Sequence, residues 1–197
     1  MILSHSNRYI FVKTRKCATS SIESVLFPHL GPDDICTGSI NDGTPKLNAR
    51  GINPHASARF IKRKFPNEWS QYHTFSVVRN PFDSLVSFFY FHKSIEPKNK
   101  LFNKDFQHFV KTANLKNWND WGLLTARGKI LVDEIYKYEE LEMLKTLNLK
   151  GLEKLSNVFI KGDFRTTKDY KPYYDDKLIS IVEEKFADYL KAFNYSF

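Results

Sequence analysis

Twice along this chain a short apolar, β-branched run passes straight into an amphipathic helix through a turn of cations and small polar residues. The first is YIFVKTRKCATSSIESVL, residues 9–26, and the second HTFSVVRNPFDSLVSFFYFH, residues 73–92. A strand that feeds a helix is the repeating unit of a sheet covered by helices. Strand patterning at about 9–13, 73–78, 133–138 and 157–160 is interleaved with helical periodicity. The helical stretches fall at about 20–27, 55–65, 81–93, 105–113, 139–147 and 176–193. The reading is α/β: a single domain over residues 1–197, with a central, mainly parallel sheet flanked by helices. Sheets of this kind bind ligands beyond the carboxyl ends of their strands, which is where both turns fall.

Composition narrows the partners. A hydrophobic content of 42% over 197 residues suits one buried core and excludes a disordered chain. The longest weakly patterned stretch, 31–53, is rich in Gly, Pro, Asn and Asp and reads as a long loop. A net charge of +8 fits an anionic partner, whether nucleic acid, glycan or phosphorylated metabolite. The basic run Arg59, Lys62, Arg63, Lys64 equally fits a solvated face. No apolar run is long enough to cross a bilayer, and the opening MILSHSNRYIF lacks the parts of a signal peptide. Cys17 and Cys36 therefore read as reduced thiols of a cytoplasmic protein, and two cysteines alone make no structural zinc site.

In the first turn, Lys13, Arg15 and Lys16 precede five small residues, Cys17, Ala18, Thr19, Ser20 and Ser21. Small side chains let an anion reach the N–H groups of a helix start, and Lys16 adds a full charge. A capping box over 20–23, with Glu23 reaching back to Ser20, explains part of the same stretch. The ATP/GTP fingerprint G-x-x-x-x-G-K-[ST] is absent, since no glycine precedes Gly31. A Cys17 nucleophile of the phosphatase kind would want arginine six positions on, where Glu23 stands, so Cys17 reads first as a packing residue.

In the second turn Asn80 suits a helix N-cap and Pro81 the first helical position, with Asp83 favouring the dipole. Phe82, Leu85, Val86 and Phe89 form a buried stripe. Arg79 and Ser87 can grip a phosphate through a guanidinium fork and a hydroxyl. Arg79 can equally pair with a carboxylate, leaving Ser87 to pack. Two anion-ready turns together suggest a ligand with two separated phosphate groups.

These residues resemble the sulfotransferases that use 3′-phosphoadenosine 5′-phosphosulfate (PAPS), most closely the carbohydrate and bacterial branch. VKTRKCATSSIE is similar to that family's 5′-phosphosulfate loop, K-T-A-G-T-S. It departs from the pattern at Cys17 for threonine, Thr19 for glycine and Ser20 for threonine. A Cβ at Thr19 demands ordinary backbone angles where glycine would be freer. FSVVRNPFDSLVSFFYFH is similar to the 3′-phosphate site, with its arginine and serine falling on Arg79 and Ser87. NPHASARFIKRKFPNEWSQY, residues 53–72, and the aromatic tail, residues 169–197, extend the likeness over most of the chain.

The resemblance implies a P-loop-NTPase-like sulfotransferase fold and sulfuryl transfer from PAPS to a hydroxyl, less readily an amine, of a carbohydrate acceptor. It implies donor contacts from Lys16, Cys17, Ala18, Thr19, Ser20, Ser21, Arg79 and Ser87, with Arg165 a further contact near the 3′-phosphate. Lys16 would stabilise the leaving phosphate and His55 would be the base, with no metal needed. His5, His29, His73, His92, His108, Glu23 and Glu96 are rivals for the base. Lys13 and Arg15 are flanking cations for donor or acceptor, and Trp118 and Trp121 fit either a sugar platform or packing. The competing functions are a P-loop-like nucleotide kinase or phosphotransferase, and a non-catalytic basic nucleic-acid-binding domain. No nucleic-acid motif supports the latter, so nucleic acid and a membrane span are not expected partners.

Overall fold

The computed structural model describes residues 1–38, 45–158, 164–165 and 167–197. Two compact units emerge, Met1–Val78 with Gly122–Ile160, and Arg79–Trp121 with Lys161–Phe197.

The first unit holds a mixed five-stranded sheet. Its strands are β1 (Ile2–Ser4), β2 (Tyr9–Val12), β3 (Ile35–Cys36), β4 (His73–Val78) and β7 (Glu134–Lys137), in spatial order β3-β1-β2-β4-β7. β2, β4 and β7 run parallel, with Tyr9 opposite His73 and Phe75 opposite Glu134. β1 is antiparallel to both β2 and β3, so the sheet is less parallel than the sequence suggests. The reason is local: a four-residue turn joins β1 to β2, and only antiparallel strands can be joined so briefly. β1 has three residues, too few to register as a periodic run. The expected loop 31–53 contains β3 and a bridge from Cys36 to Leu47, while its residues 39–44 lie outside the described residues. A two-stranded hairpin, β5 (Thr125–Ala126) with β6 (Lys129–Ile130), completes the strands.

Helix α1 (Thr19–Leu26) packs Ile22, Val25 and Leu26 against one sheet face, on Ile2, Tyr9, Phe11, Phe75 and Val77. Those sheet residues sit on alternate positions of their strands, as the pleat requires. Phe11 and Phe75 stack at 5.0 Å across the parallel pair. Leu144, Leu152 and Leu155, from two 3₁₀ segments, join the same core. Gly151 (φ +105°) lets the second segment approach, since a Cβ there would lie 2.1 Å from the Val25 carbonyl. The stretch 139–147 is thus 3₁₀ rather than α, and Asn157 ends a 3₁₀ segment rather than starting a strand. Residues 159–160 of that expected strand lie outside the described residues. Helices α2 (Ala58–Lys64) and α3 (Pro66–Gln71) lead into β4.

The second unit is helical. α4 (Pro81–Ile95) buries the expected Phe82, Leu85, Val86 and Phe89, and α5 (Phe106–Thr112) adds Phe106 and Phe109. Phe88, Phe89, Phe102, Phe106 and Phe109 form one aromatic cluster, with ring centroids 5.6–6.3 Å apart. One helical turn, α6 (Trp121–Leu124), leads out of the first part of this unit. The expected helix 176–193 is two helices, α7 (Asp176–Lys185) and α8 (Ala187–Phe193), broken at Phe186 (φ −116°, ψ 16°). Its apolar stripe survives the break: Leu178, Val182, Phe186, Tyr189 and Phe193 are buried.

Candidate functional site

The turn from β2 into α1 has an unusual backbone. Lys16 (φ 57°) and Ala18 (φ 53°) are left-handed, whereas Cys17 between them is not. Each non-glycine residue in that region costs on the order of 1–2 kcal/mol. Alternation of hand along successive residues is the backbone pattern of anion-binding concavities. Ala18 is the N-cap of α1 and no side chain caps the helix. Ile22 N makes the first intrahelical bond, to Ala18 O at 3.0 Å, so the N–H groups of Thr19, Ser20 and Ser21 lie ahead of the helix's own hydrogen-bond ladder. Thr19 itself is helical, so its Cβ meets no left-handed backbone. The glycine-like angle falls one residue earlier, on Ala18.

Side-chain bonds fix both ends of this turn. The Thr14 hydroxyl donates to Val77 O, tying the exit of β2 to that of β4. Thr19 Oγ1 donates back to Thr14 O at 3.1 Å, and Cys17 Sγ to Arg15 O at 3.1 Å. Cys17 is 2% exposed, which agrees with packing. Glu23 does not close a capping box. Its carboxylate is fully buried and pairs with Lys13, which is also buried. That consumes Lys13, expected as a flanking cation, and Glu23, a rival for the base. Breaking such a pair costs about 3–5 kcal/mol, so its role is to hold β2 and α1 on either side of the turn.

His55 comes to the same place. The expected helix 55–65 begins only at Ala58, capped by Ser57, whose Oγ accepts from Phe60 N at 3.2 Å. His55 thus lies in the preceding turn, where its N–H donates to Asn53 Oδ1 at 2.8 Å. Its Nδ1 is 3.0 Å from Lys13 O. A carbonyl only accepts, so Nδ1 carries the proton and Nε2 the lone pair. Burial holds the imidazole down to about 4; the bond to Lys13 O opposes this, and the Lys13 and Arg15 charges reinforce it. His55 is therefore neutral at pH 7, well below the intrinsic value on which its choice as a base rested. Of the rivals, His5 bonds Tyr72, His92 bonds Glu96, and His73 lies 3.5 Å from Glu134.

The turn from β4 into α4 is built differently. Asn80 caps α4 as expected, its Oδ1 accepting from Phe82 N at 3.0 Å, and Pro81 has no N–H to satisfy. Arg79 does pair with a carboxylate: Nε and Nη2 reach Asp83 Oδ2 at 2.8 and 2.7 Å. Arg165 pairs with the other oxygen of Asp83, and its Nη2 donates to Lys168 O at 2.7 Å. Arg79 and Arg165, named separately from sequence, thus converge on one carboxylate. Ser87 is half-buried one turn beyond Asp83. Tyr189 of α8 clamps the Arg79 backbone, accepting from its N–H at 3.2 Å and donating to its carbonyl at 3.1 Å.

Two contributors escaped the sequence reading. Asp83 looked like a dipole residue, although its i, i+4 spacing from Arg79 was a usable signal. Tyr189, 110 residues from Arg79, left none. Trp118 packs on Phe88 at 4.3 Å and Trp121 on Phe193 at 5.9 Å, which favours packing over a sugar platform. Among the described residues no helix is long and apolar enough to cross a membrane, and no group of three or more His, Cys, Asp or Glu is placed to hold a metal.

A sequence model described as "Sulfotransferase family" matches residues 1–196. No curated protein and no solved structure matches.

Proposed function

The chain belongs to the sulfotransferase family, and on that premise we propose that it carries a sulfuryl group from PAPS to an acceptor hydroxyl, with carbohydrate as the acceptor class. The observation that carries this reading is the left-handed turn at Lys16 and Ala18, with His55 bonded to the Lys13 carbonyl beside it.

In this reading the N–H groups of Thr19, Ser20 and Ser21 hold the 5′-phosphosulfate, and small Cys17 and Ala18 leave room for it. Lys16 meets charge growing on the phosphate oxygen as its bond to sulfur breaks. His55 takes the acceptor hydroxyl's proton on Nε2 as the new oxygen–sulfur bond forms, and PAP (3′-phosphoadenosine 5′-phosphate) departs. Sulfuryl transfer, like phosphoryl transfer, asks the protein mainly for positioning and charge stabilisation. Arg79, Arg165 and Ser87 take the 3′-phosphate, which labels the donor without reacting. Catalysis by this scheme uses side chains and backbone, without a metal. Both cysteines are buried thiols outside any disulfide, which suits a reducing, cytoplasmic setting.

Thermal unfolding with PAP, with ATP–magnesium and with a DNA oligomer tests the donor. A ligand that prefers the folded chain raises its melting temperature, and only PAP is expected to do so specifically. Stabilisation by ATP–magnesium alone would point to a phosphotransferase. Salt-sensitive DNA binding with no nucleotide response would point to a nucleic-acid partner. Transfer of labelled sulfuryl groups to a panel of sugars then tests the acceptor class.

A further inference from the structure

Within the helical unit one carboxylate holds two guanidiniums. Asp83 Oδ2 takes the Nε edge of Arg79 through two bonds, and Oδ1 takes Nη1 of Arg165. The side chains are 12%, 7% and 11% exposed for Asp83, Arg79 and Arg165. Each arginine has a second restraint. Tyr189 fixes the Arg79 backbone, and the Lys168 carbonyl receives Arg165 Nη2. Asp83 stands in the first turn of α4, and Ser87 follows one turn later on the same face.

An arginine loses much rotamer freedom when it grips an anion, and a planar fork held in advance loses less. Arg165 lies outside any helix or strand, so its direction is set by side-chain bonds. We propose that Asp83 is a positioning residue that aims Arg79 and Arg165 as a matched pair at a single phosphate, the 3′-phosphate of the donor nucleotide. This rests on the PAPS reading above. It is not the outcome that charge alone favours. A carboxylate beside a bound phosphate repels it, so loss of that charge should tighten binding unless placement of the two forks matters more.

The test compares PAP with adenosine 5′-phosphate, which lacks the 3′-phosphate, by titration calorimetry on wild type, Asp83→Asn and Arg165→Ala. Wild type is expected to prefer PAP. Asp83→Asn, nearly the same shape, is expected to lose about tenfold or more in PAP affinity, equivalent to about 1.4 kcal/mol. Its affinity for adenosine 5′-phosphate should stay nearly constant, and Arg165→Ala should repeat the pattern. Tighter or unchanged PAP binding by Asp83→Asn overturns the proposal, as do equal losses for both nucleotides, which would mark a purely structural role. If Asp83→Asn fails to fold, Arg165→Ala decides: an unchanged preference for PAP overturns the pairing. A wild type that keeps its preference for PAP while both variants do too defeats this inference alone. A wild type that binds no PAP defeats the donor reading with it.

Discussion

The two strand-to-helix turns share a sequence design and differ in what they leave for a ligand. At the first, α1 has no side-chain cap, and its leading N–H groups stand behind a left-handed turn of small residues. Lys13, one of the cations that drew attention there, is spent on Glu23. At the second, Asn80 caps α4, Pro81 removes a donor, and two guanidiniums converge on Asp83. On the proposed reading, one turn binds through backbone and the other through side chains. Backbone N–H groups come very close to an oxyanion whose charge is changing, whereas paired forks recognise a fixed charge of defined shape. The first turn thus suits the reacting end of a donor and the second its inert end.

The largest effects should come from the first turn and appear in turnover. His55→Ala is expected to lower kcat by about 10²–10⁴, the usual range for a general base, and Lys16→Met by about 10²–10³. Substitutions at Arg79 should appear mainly in the apparent affinity for the donor. Equal losses of kcat at both turns would break the comparison. The pH profile sharpens it. Because burial holds His55 down to about 4, kcat/KM should keep its His55-dependent level from pH 8 to about 5 and fall only as pH approaches 4. An acid limb near 6.5, removed by His55→Ala, would show an imidazole that is not buried as described. Stability carries the same signature. The unfolded imidazole binds its proton more readily, so the His55 contribution is complete above about 6.5 and is lost as pH falls through 4.

The caps give a smaller contrast, read in denaturant unfolding. Asn80→Ala removes the α4 cap and the bonds to Tyr170 and Ser196, at a cost of about 1–2 kcal/mol. Ser20→Ala should change stability by less than about 0.5 kcal/mol, because Ser20 lies inside α1 and does not cap it. A comparable loss at Ser20 would restore the capping box there.

The sequence made these turns legible because each is written in contiguous residues. β4 falls at 73–78 as read, and β2 and α1 lie within a residue of expectation. Asn80 and Pro81 announce their own positions through hydrogen bonding and a fixed φ. Strands β1 and β3, of three and two residues, are too short for periodicity and exist through pairing alone. The site followed the same rule. His55 meets Lys13, and Arg165 meets Asp83, by tertiary packing across 42 and 82 residues. Family likeness pointed to both residues, but gave neither the burial that shifts the imidazole nor the carboxylate that receives the guanidinium. Lys13 and Glu23 misled for a related reason. Their charges read as available to a ligand, and burial turned them toward each other.

The smallest effect isolates the backbone of the first turn. By likeness to the phosphosulfate loop, the position wanting glycine is 19; by backbone angle it is 18. Ala18→Gly relieves a left-handed Cβ but loosens the unfolded chain, leaving a gain of about 0.5–1 kcal/mol. Thr19→Gly puts glycine into a right-handed helical turn and removes the bond to Thr14 O, costing about 1–2 kcal/mol. Chemical denaturation of the two variants should therefore move in opposite directions. If Thr19→Gly is the stabilising one, the strain belongs at 19 and the backbone account of the first turn fails. If Ala18→Gly gains stability yet weakens donor affinity, the left-handed alanine is serving to stiffen the anion-binding turn. That would extend to backbone the preorganisation that Asp83 gives to side chains.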